Sequence, residues 1–259
     1  MPSKSETGHA KNVANFESLI SFCLGYGVKY NPSNPNLQIS ALQSQLLSTQ
    51  ANISSVQSTS VDFNNAVNAR IIAFNGLKTL STQLVNALDS TGATPEIVKN
   101  AKSVNAKIQG TKMTKADSGK STKADAGIIE EPIDPTAPVI DTVKTISSAQ
   151  LSYTNLVEHF TKMVTILSTE PAYVPNETEL QIATLNTLAT TLKNTNTGVI
   201  NAHTTVSNSR IARNQSLYNP TNGLCQIAKE VKLYVKSIFK ASSPQFKQVS
   251  AIEFKTVKD

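Results

Sequence analysis

The sequence predicts an all-α fold: a tandem duplication of a three- to four-helix bundle unit, with long central helices packed into one elongated helical body. Two observations predict it. Apolar residues recur at intervals of three and four along most of the chain, which is the spacing of one face of a helix. In addition, residues 30–77 return, altered but legible, at residues 173–224. Repeats of this size, well above the units of solenoid proteins, indicate two similar subdomains.

The repeat rests on ten identities at a constant separation of 143 residues, with no gap. The second copy then carries four extra residues before the Asn-Gly-Leu string that ends both stretches. We therefore divide the chain into a first helical repeat (1–109), a linker rich in lysine, proline and glycine (110–138), and a second helical repeat with a C-terminal tail (139–259). The identical residues of the first copy are Tyr30, Pro32, Leu37, Gln38, Ile39, Leu42, Val56, Asn65, Ala69 and Arg70.

The first copy begins with a leading helix, an extended turn and a long helix. Residues 11–24 place their apolar side chains on one helical face, and glycines follow it. Two prolines make residues 30–35 an extended turn. The long helix then keeps a heptad register over about 35 residues, or roughly 50 Å, and its flanks are Ser, Thr, Asn and Gln. The seam rows are Ile39, Leu46, Ile53, Ser60, Val67, Phe74 and Leu42, Thr49, Val56, Phe63, Arg70, Leu77.

Two trailing helices complete the first copy. Asn75-Gly76 predicts a left-handed stop after the long helix. Residues 77–88 have the pattern of a further amphipathic helix, and Pro95 is placed to open a short helix through Lys107.

The second copy repeats this order with a longer leading helix at residues 139–167. Residues 176–179 resemble a capping box for its long helix, whose seam is interrupted by Asn196, His203 and Arg213. We interpret these polar layers as register setters. A trailing helix is predicted at residues 224–239, followed by a short helix and a tail of β-favouring residues suited to docking or pairing.

The amino-acid composition indicates the cellular compartment and the state of the cysteines. The chain has 24 basic and 18 acidic residues, a mild net charge of +6, and no tryptophan. Its start is polar and no stretch is apolar enough to insert into a bilayer, so we expect a cytoplasmic protein with no membrane insertion. Cys23 and Cys225 lie in apolar helical patterns without ligand spacing, which favours two reduced, buried thiols.

We expect no catalytic, cofactor or metal site and no small-molecule substrate, so the protein is predicted not to be an enzyme. Metalloprotease, dinucleotide, P-loop and nucleophile-elbow motifs are all lacking, and the three histidines, His9, His159 and His203, are far apart in sequence. Abundant serine and threonine make any apparent Ser-His-Asp combination uninformative.

The candidate interaction residues follow from the repeat. Arg70 and Arg213 are equivalent and lie on the predicted seam, either as a paired anion site or as structural arginines that bond loop carbonyls. Tyr30 and Tyr173 are equivalent aromatic anchors of the two extended turns. The YNP string ending at Pro220 is interpreted as a further turn with such an anchor.

A run of lysines at residues 99–123 is the strongest charge feature. Phosphate contacts by lysine give affinity without sequence reading, so this arm is compatible with nucleic-acid binding. The alternative is a solvated linker, favoured by the scarcity of arginine and by the acidic residues that follow directly. The lysines of its second half are Lys112, Lys115, Lys120 and Lys123.

Four strings, at residues 8–17, 30–35, 213–220 and 243–250, give the chain a resemblance to a family of duplicated, all-helical hypothetical proteins of Bacteroidetes-type bacteria. The likeness covers nearly the whole chain. It implies a bacterial, duplicated protein and adds no catalytic residue.

These observations lead to two function hypotheses. The first is a non-enzymatic structural protein that self-associates through its long helices, because their flanks are uncharged and a duplicated chain offers two similar contact surfaces for head-to-tail growth. The alternative is a nucleic-acid-associated helical protein that uses the lysine arm. A pore-forming or membrane-remodelling role is disfavoured because no segment is apolar enough to insert.

Overall fold

The structure, a computed structural model, describes residues 4–111 and 151–255. Within these ranges all regular structure is helical and no strand occurs, which confirms the predicted all-α class. Most of the predicted linker and residues 139–150 of the predicted leading helix lie outside the described ranges. The helices are α1 (Lys4–Gly25), α2 (Ile39–Phe74), α3 (Leu77–Ser90), α4 (Pro95–Gln109), α5 (Tyr153–Ser168), α6 (Ile182–Tyr218), α7 (Leu224–Phe239) and α8 (Pro244–Ser250).

The two long helices start at equivalent places. Helices α2 and α6 begin at Ile39 and Ile182, an identical pair of the repeat, and contain 36 and 37 residues. A 3-10 turn precedes each of them, at Pro35–Leu37 and at Thr178–Leu180. The four extra residues of the second copy are divided between one additional residue in α6 and a longer loop before α7.

Helix ends follow the backbone preferences of glycine and proline. Gly76, after α2, has a φ of 79°, which is the predicted left-handed stop. Pro95 opens α4 as its first residue, where its missing N–H costs nothing.

Two predicted helix starts are wrong. Helix α5 begins at Tyr153 and not at residue 139, because Ser152 is extended and its hydroxyl accepts a hydrogen bond from the Asn155 N–H as an N-cap. The predicted capping box at residues 176–179 does not cap α6. Thr178 and Glu179 lie in the 3-10 turn instead, and Glu177, which precedes that turn, makes no side-chain capping bond.

The chain folds into two compact units, each with its own core. Unit 1 comprises residues 1–68 and 198–259, and unit 2 comprises residues 69–197. The boundaries fall inside α2 and α6. Each unit therefore joins the leading helix and the start of one long helix, from one predicted repeat, to the end of the other long helix and the trailing helices, from the other repeat. The duplication itself stays a prediction from sequence.

The cores use the apolar faces that the periodicity predicts. In unit 1, the face of α1 packs with α7 and with the start of α2. In unit 2, faces of α3, α4 and α5 pack with the start of α6. Leu42 and Leu185, another identical pair of the repeat, are fully buried in the first and the second core respectively.

An equivalent tyrosine closes the extended turn in each unit. The Tyr30 hydroxyl donates to the Leu37 carbonyl at 2.8 Å, and the Tyr173 hydroxyl donates to the Leu180 carbonyl at 2.9 Å. Both rings are buried. Burial raises the pKa of Tyr173 to about 12 and raises the pKa of Tyr30 further, so both phenols remain protonated donors.

We expect Tyr30→Phe and Tyr173→Phe each to lower the free energy of unfolding by about 1 kcal/mol, since each leaves a carbonyl without its hydrogen bond. The double variant should cost the sum, because the two tyrosines share no partner. Urea denaturation measures this. Tyr153→Phe is the matched control, because its hydroxyl makes no hydrogen bond to a described residue. A cost confined to one turn would contradict the shared role.

Candidate functional site

In unit 1 the long helices contact each other through a seam of small side chains. The Thr49 and Ser216 hydroxyls lie 2.7 Å apart, and those of Thr59 and Ser209 lie 2.9 Å apart. Residue numbers rise along α2 as they fall along α6, so the two helices are antiparallel here. Val56 of α2 lies between the two hydroxyl pairs and is buried. The predicted seam row of α2 thus faces α6.

The polar layers of α6 have specific partners. The His203 ring meets the Phe63 ring edge-on, with centroids 5.8 Å apart. In unit 2 the buried Asn196 accepts a hydrogen bond from Arg70 at 3.2 Å and donates one to the Thr154 hydroxyl at 3.2 Å. Specific contacts of this kind favour one axial register over others.

Arg70 is held by an aromatic ring as well as by a hydrogen bond. Its guanidinium lies 3.9 Å from the centroid of the Tyr153 ring, and the same ring packs against Phe74 at 4.8 Å. The Arg70 Nε is buried and has no hydrogen-bond partner among the described residues. Cation–π stacking is therefore a main attraction on this side chain, and it replaces the loop carbonyls that the structural interpretation proposed.

Arg213 has different surroundings in unit 1. Its side chain is buried, and its Nε and Nη2 donate to the Asn214 carboxamide oxygen at 3.1 and 2.9 Å. The two equivalent arginines therefore lie in different units, and their hydrogen-bond partners differ. The predicted equivalence holds for position in the helix and not for contacts.

The outer faces of α2 and α6 carry almost no charge. Asp62 and Arg70 are the charged residues of α2, and Lys193, Arg210 and Arg213 are those of α6. Many threonine hydroxyls donate to the carbonyl four residues earlier in their own helix, as at 3.1 Å from Thr204 to Ile200. Because these hydroxyls bond to the backbone of their own helix, the outer faces of α2 and α6 are less strongly hydrated than their composition suggests.

Exposed aliphatic side chains lie on the same outer faces. In unit 1, Leu47 and Val61 of α2 are 66% and 56% exposed, and Ile200 and Ile211 of α6 are exposed to a similar degree. Leu47 and Val61 belong to an exposed stripe with alternating steps of four and three residues, and no charged residue lies in it. The stripe consists of Leu47, Ala51, Ser54, Ser58, Val61, Asn65 and Asn68.

A groove of about 360 Å³ lies in unit 1, where the four-residue insertion falls. Hydroxyl and carboxamide side chains line it, including Gln45, Asn219 and Asn222. Several of these groups are already engaged: Gln45 donates to the carbonyls of Ser216 and Asn222, and Asn219 Oδ1 accepts from the Thr221 N–H at 2.9 Å. The carboxamides thus hold the longer loop against the helices.

Residues 252–255 lie outside any helix, alternate between half-buried and exposed as an extended chain does, and are held by side chains. Asn12 binds both main-chain groups of Lys255: it donates to the carbonyl at 2.7 Å and accepts from the N–H at 2.9 Å. Asn15 donates to the Glu253 carbonyl at 2.6 Å, and the Lys232 ammonium donates to the Ile252 carbonyl. The sequence predicts a C-terminal tail suited to docking or pairing, and residues 252–255 of this tail dock.

The sequence contained an overlooked signal for this contact. His9 and Asn12 continue the spacing of the apolar face of α1 and are 2% and 1% exposed. The Tyr218 hydroxyl contacts both, at 2.7 Å from His9 Nδ1 and 3.3 Å from Asn12 Nδ2. A polar residue on an apolar stripe needs a partner, and here the partners are Tyr218 and the tail.

The remaining candidates are placed as follows. Lys102 of the lysine arm pairs with Asp89 at 3.1 Å, and Lys112, Lys115, Lys120 and Lys123 lie outside the described residues. His159 is partly buried, and this burial, followed by the charge of Lys107, lowers its pKa. In the part of the chain that the structure describes, no cluster of three potential metal ligands occurs. No described helix is both long and apolar enough to cross a bilayer.

Both cysteines are buried in the core of unit 1, as the sequence predicts, and neither forms a disulfide. Burial raises the pKa of Cys23 to about 12 and that of Cys225 to about 11. The thiolate, which is the reactive form, is therefore scarce at neutral pH.

We expect neither thiol to react with a disulfide reagent in the native protein at pH 8, and both to react rapidly in denaturant. A spectrophotometric thiol titration with and without guanidinium measures this. The variants Cys23→Ala and Cys225→Ala assign each signal. Rapid reaction of either thiol in the folded chain would contradict the buried placement.

Arg70→Lys should lower the free energy of unfolding by about 1 kcal/mol, because lysine has no planar guanidinium to stack on Tyr153. Arg210→Lys is the matched control at an exposed position of α6 and should change stability little. Urea denaturation of both variants decides the matter. Equal stability of the two variants would show that the stacking contributes nothing.

No protein-family model, curated protein or solved structure matches this chain.

Proposed function

We propose that the protein is a non-enzymatic structural protein that self-associates through the exposed faces of its long helices, into a regular polymer or another higher-order assembly. The observation that carries the proposal is the uncharged stripe of α2 in unit 1. Its exposed residues follow the spacing of a coiled-coil seam, with Leu47 and Val61 as its large apolar members.

This stripe differs from an ordinary solvated helix face. Such a face carries Glu and Lys, which keep a surface soluble and its neighbours apart. Here alanine and serine stand between Leu47 and Val61, and asparagine follows, so a second helix can approach closely. Exposed apolar side chains arranged on one face are typical of interaction sites.

A second copy of the chain is the partner that this chemistry favours. An uncharged stripe offers nothing to the phosphates of a nucleic acid or to a strongly charged protein. Another copy presents the same uncharged stripe, and it also presents the exposed Ile200 and Ile211 of α6. Contact between unlike faces of successive copies is heterologous and permits open growth, whereas contact between like faces closes at a dimer.

The test places two lysines on the stripe. Leu47→Lys with Val61→Lys should weaken self-association about tenfold or more, because two apolar side chains no longer bury their surface and like charges meet. Light scattering and negative-stain imaging over a range of concentrations measure the assembly. Both positions are exposed, so the fold should be retained.

The matched control adds the same two charges elsewhere in unit 1. Val28→Lys with Leu233→Lys replaces aliphatic side chains that are 97% and 65% exposed and lie off the stripe. This control should assemble as the unaltered chain does. A chain that stays monomeric at high concentration would refute self-association, and equal loss in both double variants would refute the stripe as its surface.

A further inference from the structure

The extended segment 252–255 is bound in the manner of a peptide ligand. Its four residues are seated by side chains of α1 and α7: Asn12 and Asn15 from the first helix, and Lys232 from the second. All four of these bonds go to main-chain groups of the segment. Recognition of main-chain groups depends little on the side chains of the bound segment, so the same clamp fits any extended chain.

Side-chain alternation adds selectivity to this main-chain recognition. Ile252 and Phe254 are half-buried and pack against the core of unit 1, whereas Glu253 and Lys255 are exposed. The Lys232 ammonium lies 5.3 Å from the centroid of the Phe254 ring. An extended segment with apolar residues at alternate positions is the kind of ligand that this cleft accepts.

The Asn12 side chain is held in the orientation in which it binds such a ligand. Its carboxamide is buried and, besides its bonds to Lys255, its Nδ2 donates to the Tyr218 hydroxyl at 3.3 Å and to Cys225 Sγ at 3.6 Å. A preoriented carboxamide that binds the N–H and the carbonyl of one residue loses little side-chain entropy on binding.

We propose that the cleft between α1 and α7, lined by Asn12, Asn15 and Lys232, is a binding site for an extended peptide, and that its partner in trans is the 252–255 segment of a second copy. The chain's own segment occupies the site and acts as a competitor. This contact is separate from the stripe on α2 and does not depend on it.

The probe peptide competes with the chain's own 252–255 segment, and the experiment is designed around this competition. A segment joined directly to α8 has a high effective concentration at the cleft, so a free peptide competes poorly with it. The full-length variant Ile252→Asp with Phe254→Asp weakens the resident segment and leaves the clamp residues in place. The probe is a fluorescent peptide with the sequence of residues 251–259, followed by anisotropy.

The peptide should bind the Ile252→Asp, Phe254→Asp chain at least about tenfold more tightly than the unaltered chain. Asn12→Ala in the same background should weaken binding at least about tenfold, since it removes both bonds to residue 255. A peptide that itself carries aspartate at positions 252 and 254 should not bind.

A second clamp variant and an amide-exchange measurement complete the test. Asn15→Ala, at a half-buried position whose described bond goes to Glu253, supplies a second clamp variant if Asn12→Ala disturbs the fold. Amide exchange at Lys255, whose N–H is bonded to Asn12, reports release of the resident segment. Released segment without peptide binding would overturn the proposal, and so would binding that is indifferent to both asparagines or to the aspartates in the peptide.

Discussion

The long helices α2 and α6 are not stable in isolation, and the rest of the structure depends on the tertiary packing that stabilises them. They are rich in serine, threonine and asparagine, which form helices poorly because their short polar side chains also bond the backbone in other conformations. Their stability must come from tertiary contacts. Leu42 and Leu185 are buried near the starts of the two helices. Within unit 1, the Thr49 and Ser216 hydroxyls add a direct contact between the helices.

The same constraint explains the contrast between the inner and outer faces. The shorter helices α3, α4, α5 and α7 supply large apolar side chains to the cores, so the long helices need only a narrow buried row. The rest of the surface of α2 and α6 has no role in packing the cores. In most proteins charged residues would fill it, whereas here hydroxyl and amide groups do, and several threonine hydroxyls are satisfied by their own backbone.

Much of this architecture could be predicted from the spacing of apolar residues. The face of α1, the seam row of α2, the stop at Gly76 and the anchoring role of Tyr30 and Tyr173 all follow from local patterns. Periodicity does not predict the start of α5 at Tyr153, because the apolar pattern continues upstream of Ser152, the residue that caps the N-terminus of the helix. Sequence spacing indicates which face is buried, but not which helix covers it. It therefore could not predict that unit 1 joins residues 1–68 to residues 198–259.

The candidate sites show the same limit. The heptad register places Arg70 on the seam, but its contact with Tyr153 joins residues far apart in the chain and carries no local signal. Asn12 lies on the face of α1 and was overlooked because neighbouring apolar residues explain that face without it. Its role depends on Lys255, which is 243 residues away.

The composition of the two units has a consequence for the order of events during synthesis. All residues of unit 2 precede residues 198–255 in the chain, so they are synthesised before those residues. Unit 1 needs those later residues to cover the apolar face of α1, which emerges first. Helix α1 and the start of α2 must therefore wait with their apolar surfaces uncovered while unit 2 is completed, and a nascent chain in that condition is open to contact with chaperones and with other nascent chains.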